Sequence, residues 1–296
     1  SWVVPILLAN LVGEILIGVT GGVVRLTGSG LGCPTWPECV PGSFVPVAHQ
    51  EQGIHRFIEF GNRTLTGLVG LLALLAIWAV VTRWPGRRRL HRVSFAILVG
   101  VAAQAIVGGI TVRTGLNPWT VMFHFLMSML LVALAATLLR GSRDETEGPG
   151  DLVVHPLARA LALGTCAVGA AVVLLGTVVT GSGPHSGDAV TPARTGFDPR
   201  FVSWMHADLV MLFAGLVIAT LVAVWLTSAP APDTSGERVR GAWKAVLLVT
   251  IAQGLIGYVQ YFTKLPEILV VFHMLGATLL VVGLTYGFLE TRRNPI

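Results

Sequence analysis

The sequence predicts an all-α polytopic membrane protein of eight transmembrane helices, built as two parallel four-helix repeats. Three observations carry this. Of 296 residues, 53% are hydrophobic and only 12% charged, where a soluble domain holds roughly 25% charged residues. Apolar runs of bilayer-spanning length, about 17–25 residues, recur along the whole chain. They do not alternate as the strands of a membrane barrel would. Short motifs also return at a near-constant spacing in the second half of the chain.

The spans fall near 3–24, 57–82, 93–113, 119–139, 159–180, 201–227, 243–262 and 267–289. The first apolar run is too long for the core of a cleavable signal peptide, so it is expected to remain a span; Ser1 in place of Met reads as a trimmed start. This span ends at "RLTGSG", Arg25 to Gly30, where two glycines stop the helix and the hydroxyls can bond its last carbonyls. The connection between spans 2 and 3, "RWPGRRRLHR", carries five arginines. Arg140, Arg143 and Arg159 flank the fourth connection, Arg238, Arg240 and Lys244 flank the sixth, and Arg292 and Arg293 close the chain. By the positive-inside rule these segments are cytoplasmic, with both termini inside and the protein in the cell membrane. That placement accounts for the net charge of +5, so the basic balance implies no nucleic-acid partner; the partner it implies is the lipid bilayer. A cytoplasmic linker at 141–158 divides an N-terminal half, 1–140, from a C-terminal half, 159–296.

The halves resemble each other. TGSG occupies 27–30 and again 180–183. "AQAIVG" at 103–108 answers "AQGLIG" at 252–257, and "VMFH" ending at His124 answers "VVFH" ending at His273, both 149 residues on. Gln104 precedes His124 by 20 residues, as Gln253 precedes His273. Four crossings return a chain to its starting side, so the repeat is parallel, about an axis along the membrane normal.

Of eight histidines, three lie inside spans: His124, His206 and His273, on helices of one direction and roughly 8–11 Å deep. A lone intramembrane histidine usually bonds a neighbouring helix; histidines related by a repeat point to a shared task. His206 and His273 share one half and suit axial ligation of a haem iron by neutral imidazoles. Zinc would want three or four ligands, and no carboxylate or Cys joins the pair at that depth. In the other half His124 is repeated, but the position matching His206 falls on Asn62 in "RFIEFGNRTLTG", with Glu59 one turn above it. His55, about 10 Å further out, is an alternative second ligand there. The asymmetry is expected if one half holds a permanent haem and the other a haem that comes and goes.

Charge follows the same split. Arg25, Arg63 and Arg113 sit at the outer ends of spans 1, 2 and 3, where the second half has Val178, Ala207 and Phe262. Arginine grips carboxylates bidentately, so these three are propionate candidates; the bland alternative is snorkelling anchors. Glu14, mid-span, is a functional candidate by default, although its spacing to Gly18 echoes Gln104–Gly108 and fits a structural hydrogen bond equally well. Cys33 and Cys39 share an outer loop in an oxidising compartment, which favours a disulfide over free thiols or a metal clip. Cys166 reads as a small core residue.

Taken together, "VTGGVVRLTGSGLGCPTWPEC", "IEFGNR", the "FH" at 123–124, "WMHADL" and the "VFH" at 271–273 resemble the haem A synthase (Cox15/CtaA) family, in an actinobacterial style, over nearly the whole chain. The resemblance implies eight helices in two halves and oxidation of the haem O methyl group to a formyl group by successive hydroxylations, giving haem A for cytochrome oxidase. It implies a haem b on His206 and His273 and substrate haem in the first half. The family's Glu-x-x-His corresponds to Glu59 and Asn62, a departure that leaves His124 as the firm ligand of the substrate iron. Glu59 would act in proton transfer or stabilise a cationic intermediate. No flavin or nicotinamide fingerprint is present, so electrons go to or come from an external partner; haem O synthase and the cytochrome oxidase assembly machinery are further candidate partners. A purely electron-transferring b-type cytochrome would want two symmetric bis-histidine sites. A haem transporter or assembly chaperone would want a Trp-rich outer loop, where Trp36 stands alone. A prenyltransferase would need Asp-rich motifs, which are absent.

Overall fold

The fold was obtained as a computed structural model that describes residues 2–144, 148, 150–188, 192–228 and 234–293. Eight helices run in chain order: α1 (Val3–Leu26), α2 (His55–Arg83), α3 (Arg88–Arg113), α4 (Pro118–Gly141), α5 (Pro156–Ser182), α6 (Pro199–Thr227), α7 (Ser235–Phe262) and α8 (Glu267–Leu289). All eight are long and apolar enough to cross a membrane, and the chain is a multi-pass membrane protein.

The helices overrun the apolar spans, because a helix stops where its backbone is capped and not where its side chains turn polar. α4, α5 and α6 each start on a capping side chain followed by proline. Asn117 accepts from the Trp119 amide at 3.0 Å, His155 from Leu157 at 3.2 Å and Asp198 from Phe201 at 2.9 Å. α7 begins eight residues before its apolar span and seats Val239 in the core on the way. The two TGSG copies differ. The first follows α1, with Gly28 at φ 66° ending the helix. The second is the last turn of α5, which runs through Ser182. In both, the threonine hydroxyl bonds a carbonyl four residues back, Thr27 to Val23 and Thr180 to Gly176, each at 2.9 Å.

Each half closes into a ring. α1 packs on α2 and α4, and α3 on α2 and α4; α5 packs on α6 and α8, and α7 on α6 and α8. The rings meet through α4 against α8, flanked by α1 against α8 and α4 against α5. Exchanging the halves maps this set of contacts onto itself, as a parallel repeat requires. Of the predicted linker 141–158, residues 145–147 and 149 lie outside the described residues. Its far end forms β1 (Asp151–Leu152), paired antiparallel with β2 (Arg292–Arg293), which ties the junction to the end of the chain.

Both apolar cores lie toward the basic end of the bundle. One joins Leu7, Leu11, Ala73, Val80, Ile97 and Ala136; the other joins Phe213, Val217, Val224, Val239, Trp243 and Val246. Small residues such as Ala73, Ala76 and Ala136 let the helices approach closely there. The opposite end of each ring, where the histidines sit, belongs to neither core.

Candidate functional site

His124 is the seventh residue of α4, His206 the eighth of α6 and His273 the seventh of α8. The three imidazoles therefore lie about 9–11 Å below their helix starts. Each rests against a glycine of the neighbouring helix. A Cβ on Gly108 would stand 3.4 Å from His124 Cε1, one on Gly176 3.2 Å from His206 Cε1, and one on Gly257 3.5 Å from His273 Cε1. A Cβ at Gly176 would press on its ring, while at Gly108 and Gly257 it would just touch it. Three rings on three glycines is a repeated device, and the Gly108–His124 and Gly257–His273 pairs are the "AQxxxG" and "FH" motifs meeting in space.

In the second half α6 and α8 stand diagonally across their ring, and His206 lies within electrostatic reach of His273. Nδ1 of His273, like that of His124, is enclosed with no hydrogen-bond partner among the described residues. No group of three His, Cys, Asp or Glu side chains comes together to hold a bare metal ion among those residues. Two imidazoles on helices diagonal in one ring, with no third such ligand beside them, fit an iron that brings its own equatorial nitrogens, as a haem does.

The first half is built differently. Asn62 is tied to α1: its Oδ1 accepts from Thr20 Oγ1 at 2.7 Å, and its Nδ2 faces Gly21. Glu59 is buried and fully engaged. Its Oε2 accepts from the Cys33 amide at 2.5 Å, and its Oε1 takes Arg63 Nη2 at 2.6 Å and Nε at 3.1 Å. Arg63 also donates to the carbonyls of Cys33 at 2.8 Å and Glu38 at 3.3 Å. The carboxylate thus holds the loop that carries the Cys33–Cys39 disulfide, whose sulfurs are bonded at 2.05 Å. From that loop Trp36 packs on Gly109 of α3, and its carbonyl accepts from Arg113 at 2.9 and 3.2 Å. The loop is a lid fastened to α2 and α3 over the first-half ring. His55 lies at its edge, with Nδ1 2.8 Å from Ser29 Oγ.

Arg25 reaches across to the other half, donating to the Thr180 carbonyl at 2.6 Å. Beside it Gly30 donates to Gly187 at 2.9 Å and Ser29 bridges Asp188, so the end of the first TGSG copy pairs with the segment that follows the second. The three arginines predicted at the outer ends each place a donor on a main-chain carbonyl, those of Thr180, Cys33 and Trp36. Sequence reasoning missed the Glu59–Arg63–lid network, although the Glu-x-x-x-Arg spacing that places both on one helix face was visible. It also missed Trp36, for which proximity to Gly109 left no local signal.

The profile of the cytochrome oxidase assembly proteins, COX15-CtaA, matches residues 5–285. The chain belongs to the COX15-CtaA family. A COX15-CtaA relative from Symbiobacterium thermophilum, named Heme A synthase, is 27% identical over 280 residues, covering 87% of each chain. One from Staphylococcus epidermidis with the same name is 23% identical over 93% of this chain and 90% of its own. A third, from Lysinibacillus sphaericus, is 35% identical over a shorter stretch, 44% of this chain and 41% of its own.

Proposed function

We propose that this protein is a haem A synthase, oxidising the methyl group of haem O to the formyl group of haem A by successive hydroxylations. The family match and the shared name of the relatives support the reaction. One observation carries its assignment to residues. Both rings place a histidine from a central helix at one depth, yet only the first adds the buried Glu59–Arg63 pair beneath a disulfide-closed lid.

In this reading His206 and His273 hold a haem b, which supplies one-electron transfer with an external partner. His124 binds the iron of the substrate haem O. Asn62, held by Thr20, positions the α2 wall opposite. Arg113, the most exposed of the three arginines, together with Arg25 and Arg63 meets the propionates from the lid side. The lid keeps bulk water from the ring. Glu59 holds or moves a proton at its carboxylate, with Arg63 balancing its charge. The basic connections and both termini face the cytoplasm, so the lid and its disulfide face the oxidising side.

The test is the haem content of membranes that contain haem O, with and without this protein. Appearance of haem A only with the protein is expected. Its absence, with a stable low-spin haem still bound, would leave an electron-transferring cytochrome in place of the synthase.

A further inference from the structure

Asn10 and Glu14 are buried in the middle of α1, 0% and 2% exposed. They stand one turn apart on one face of the helix. Oε1 of Glu14 and both amide atoms of Asn10 are enclosed with no hydrogen-bond partner among the described residues. A structural role calls for a partner within the fold, and a buried polar atom left without one is costly.

That face looks into the first ring. Gly18, one turn above Glu14, lies against α4, where a Cβ would stand 3.8 Å from Met129 Cε. Gly21, two turns above Glu14, lies against α2, where a Cβ would stand 3.9 Å from Asn62 Nδ2. Glu14 thus faces between α2 and α4, toward α3 on the diagonal. From α3, Gln104 enters the same ring. Its Nε2 donates to the His124 carbonyl at 3.0 Å and to Ser128 Oγ at 2.6 Å, while its Oε1 is enclosed without a partner among the described residues. Glu14 lies about 18 Å, Gln104 about 14 Å and His124 about 9 Å from the outer ends of their helices. The unpaired oxygens form a polar floor below the histidine, where the ring meets its apolar core. α5, which takes the place of α1 in the second ring, contains no Asp, Glu, Asn or Gln.

The floor matches one feature of the proposed substrate. Haem O carries a hydroxyl on its isoprenoid side chain, at a pyrrole remote from the propionates, where haem b has a vinyl group. With the propionates at the outer arginines and the iron at His124, that edge faces down the ring. A hydroxyl both donates and accepts, so it suits a place that holds unpaired oxygens and an unpaired amide nitrogen. We propose that Glu14 and Gln104, backed by Asn10, hydrogen-bond the side-chain hydroxyl of haem O and so select it over haem b in the first ring. The selection rests on the haem A synthase reading, with substrate in that ring.

Haem titrations of the purified protein with its resident haem in place test it, read by the absorption change of the first-half site. The wild-type protein should bind haem O more tightly than haem b. Glu14→Met, which keeps the volume and removes both oxygens, should weaken haem O binding roughly 2- to 12-fold, the worth of one hydrogen bond, and leave haem b binding unchanged. Glu14→Gln, which keeps an oxygen, should keep the preference for haem O. With the first ring empty, Glu14→Met should not lower the unfolding temperature, because the carboxyl Oε1 has no partner there to lose. A clear drop would make Glu14 a structural residue and overturn the subsite. Haem O binding that is lost in His124→Ala but equal in Glu14→Met and wild type would overturn the hydroxyl contact alone and leave the floor to internal water. Failure of haem O to bind the wild-type first half, or binding indifferent to His124→Ala, would overturn the synthase reading with it.

Discussion

In the proposed reading the chemistry rests on a few side chains whose surroundings differ between the two halves. With His206 and His273 as the proposed haem ligands, replacing either by alanine should remove the bound haem, read as loss of the low-spin absorption bands in the purified protein. His124→Ala should leave those bands in place and abolish haem O conversion. Glu59→Gln keeps one oxygen, enough for Arg63 or for the Cys33 amide but not for both, and removes the charge and the proton-accepting capacity. Turnover should drop roughly 10²–10⁴-fold with the fold and the bound haem intact; unchanged turnover would make Glu59 a fastener of the lid alone. Arg25, Arg63 and Arg113 already hold main-chain carbonyls. Glutamine at each should raise the haem O concentration for half-saturation about 10- to 150-fold, as loss of a charge-assisted contact predicts. Haem O titration of the three variants measures this.

Among the elements, the lid is the one whose role depends on packing rather than on its own structure. It fills the long connection between α1 and α2 without a helix, and it is held by a disulfide, a buried ion pair and the seat of Trp36 on Gly109. The disulfide closes a small loop with a sequence separation of 6, so its chain-entropy effect is about 2 kcal/mol. Cys33→Ser with Cys39→Ser should therefore lower the unfolding temperature modestly and conversion more. Gly109→Val would drive a side chain into the Trp36 indole and lift the lid from α3. Faster reduction of the disulfide by added thiol, followed by mass-tag labelling, is the expected outcome, with the second-half haem spectrum unchanged.

Across the whole molecule, two rings share α4 and α8 at their junction while their packed cores lie at the basic end. The histidine ends of the rings lie outside both cores. Removing the second-half haem should thus cost stability by mass action, about 4 kcal/mol at a thousandfold excess over the dissociation constant. Thermal unfolding of haem-loaded and haem-depleted protein should show a clear drop on depletion. Equal unfolding temperatures would mean the ring is self-supporting.

Eight spans, their repeat and the layer of histidines were legible in the residues, because hydropathy runs and motif spacing are properties of the chain itself. Gln104 and His124 stand 20 residues apart just as Gln253 and His273 do, and no fold is needed to see it. Helix ends were less legible: α7 starts at Ser235 because a helix continues through polar turns that apolarity does not mark. What joins distant segments was decided by tertiary structure alone. Arg25 finds Thr180, Trp36 finds Gly109, and Glu59 finds the Cys33 amide. Each of these partners is a backbone atom or a glycine, which carries no side-chain signature in the sequence.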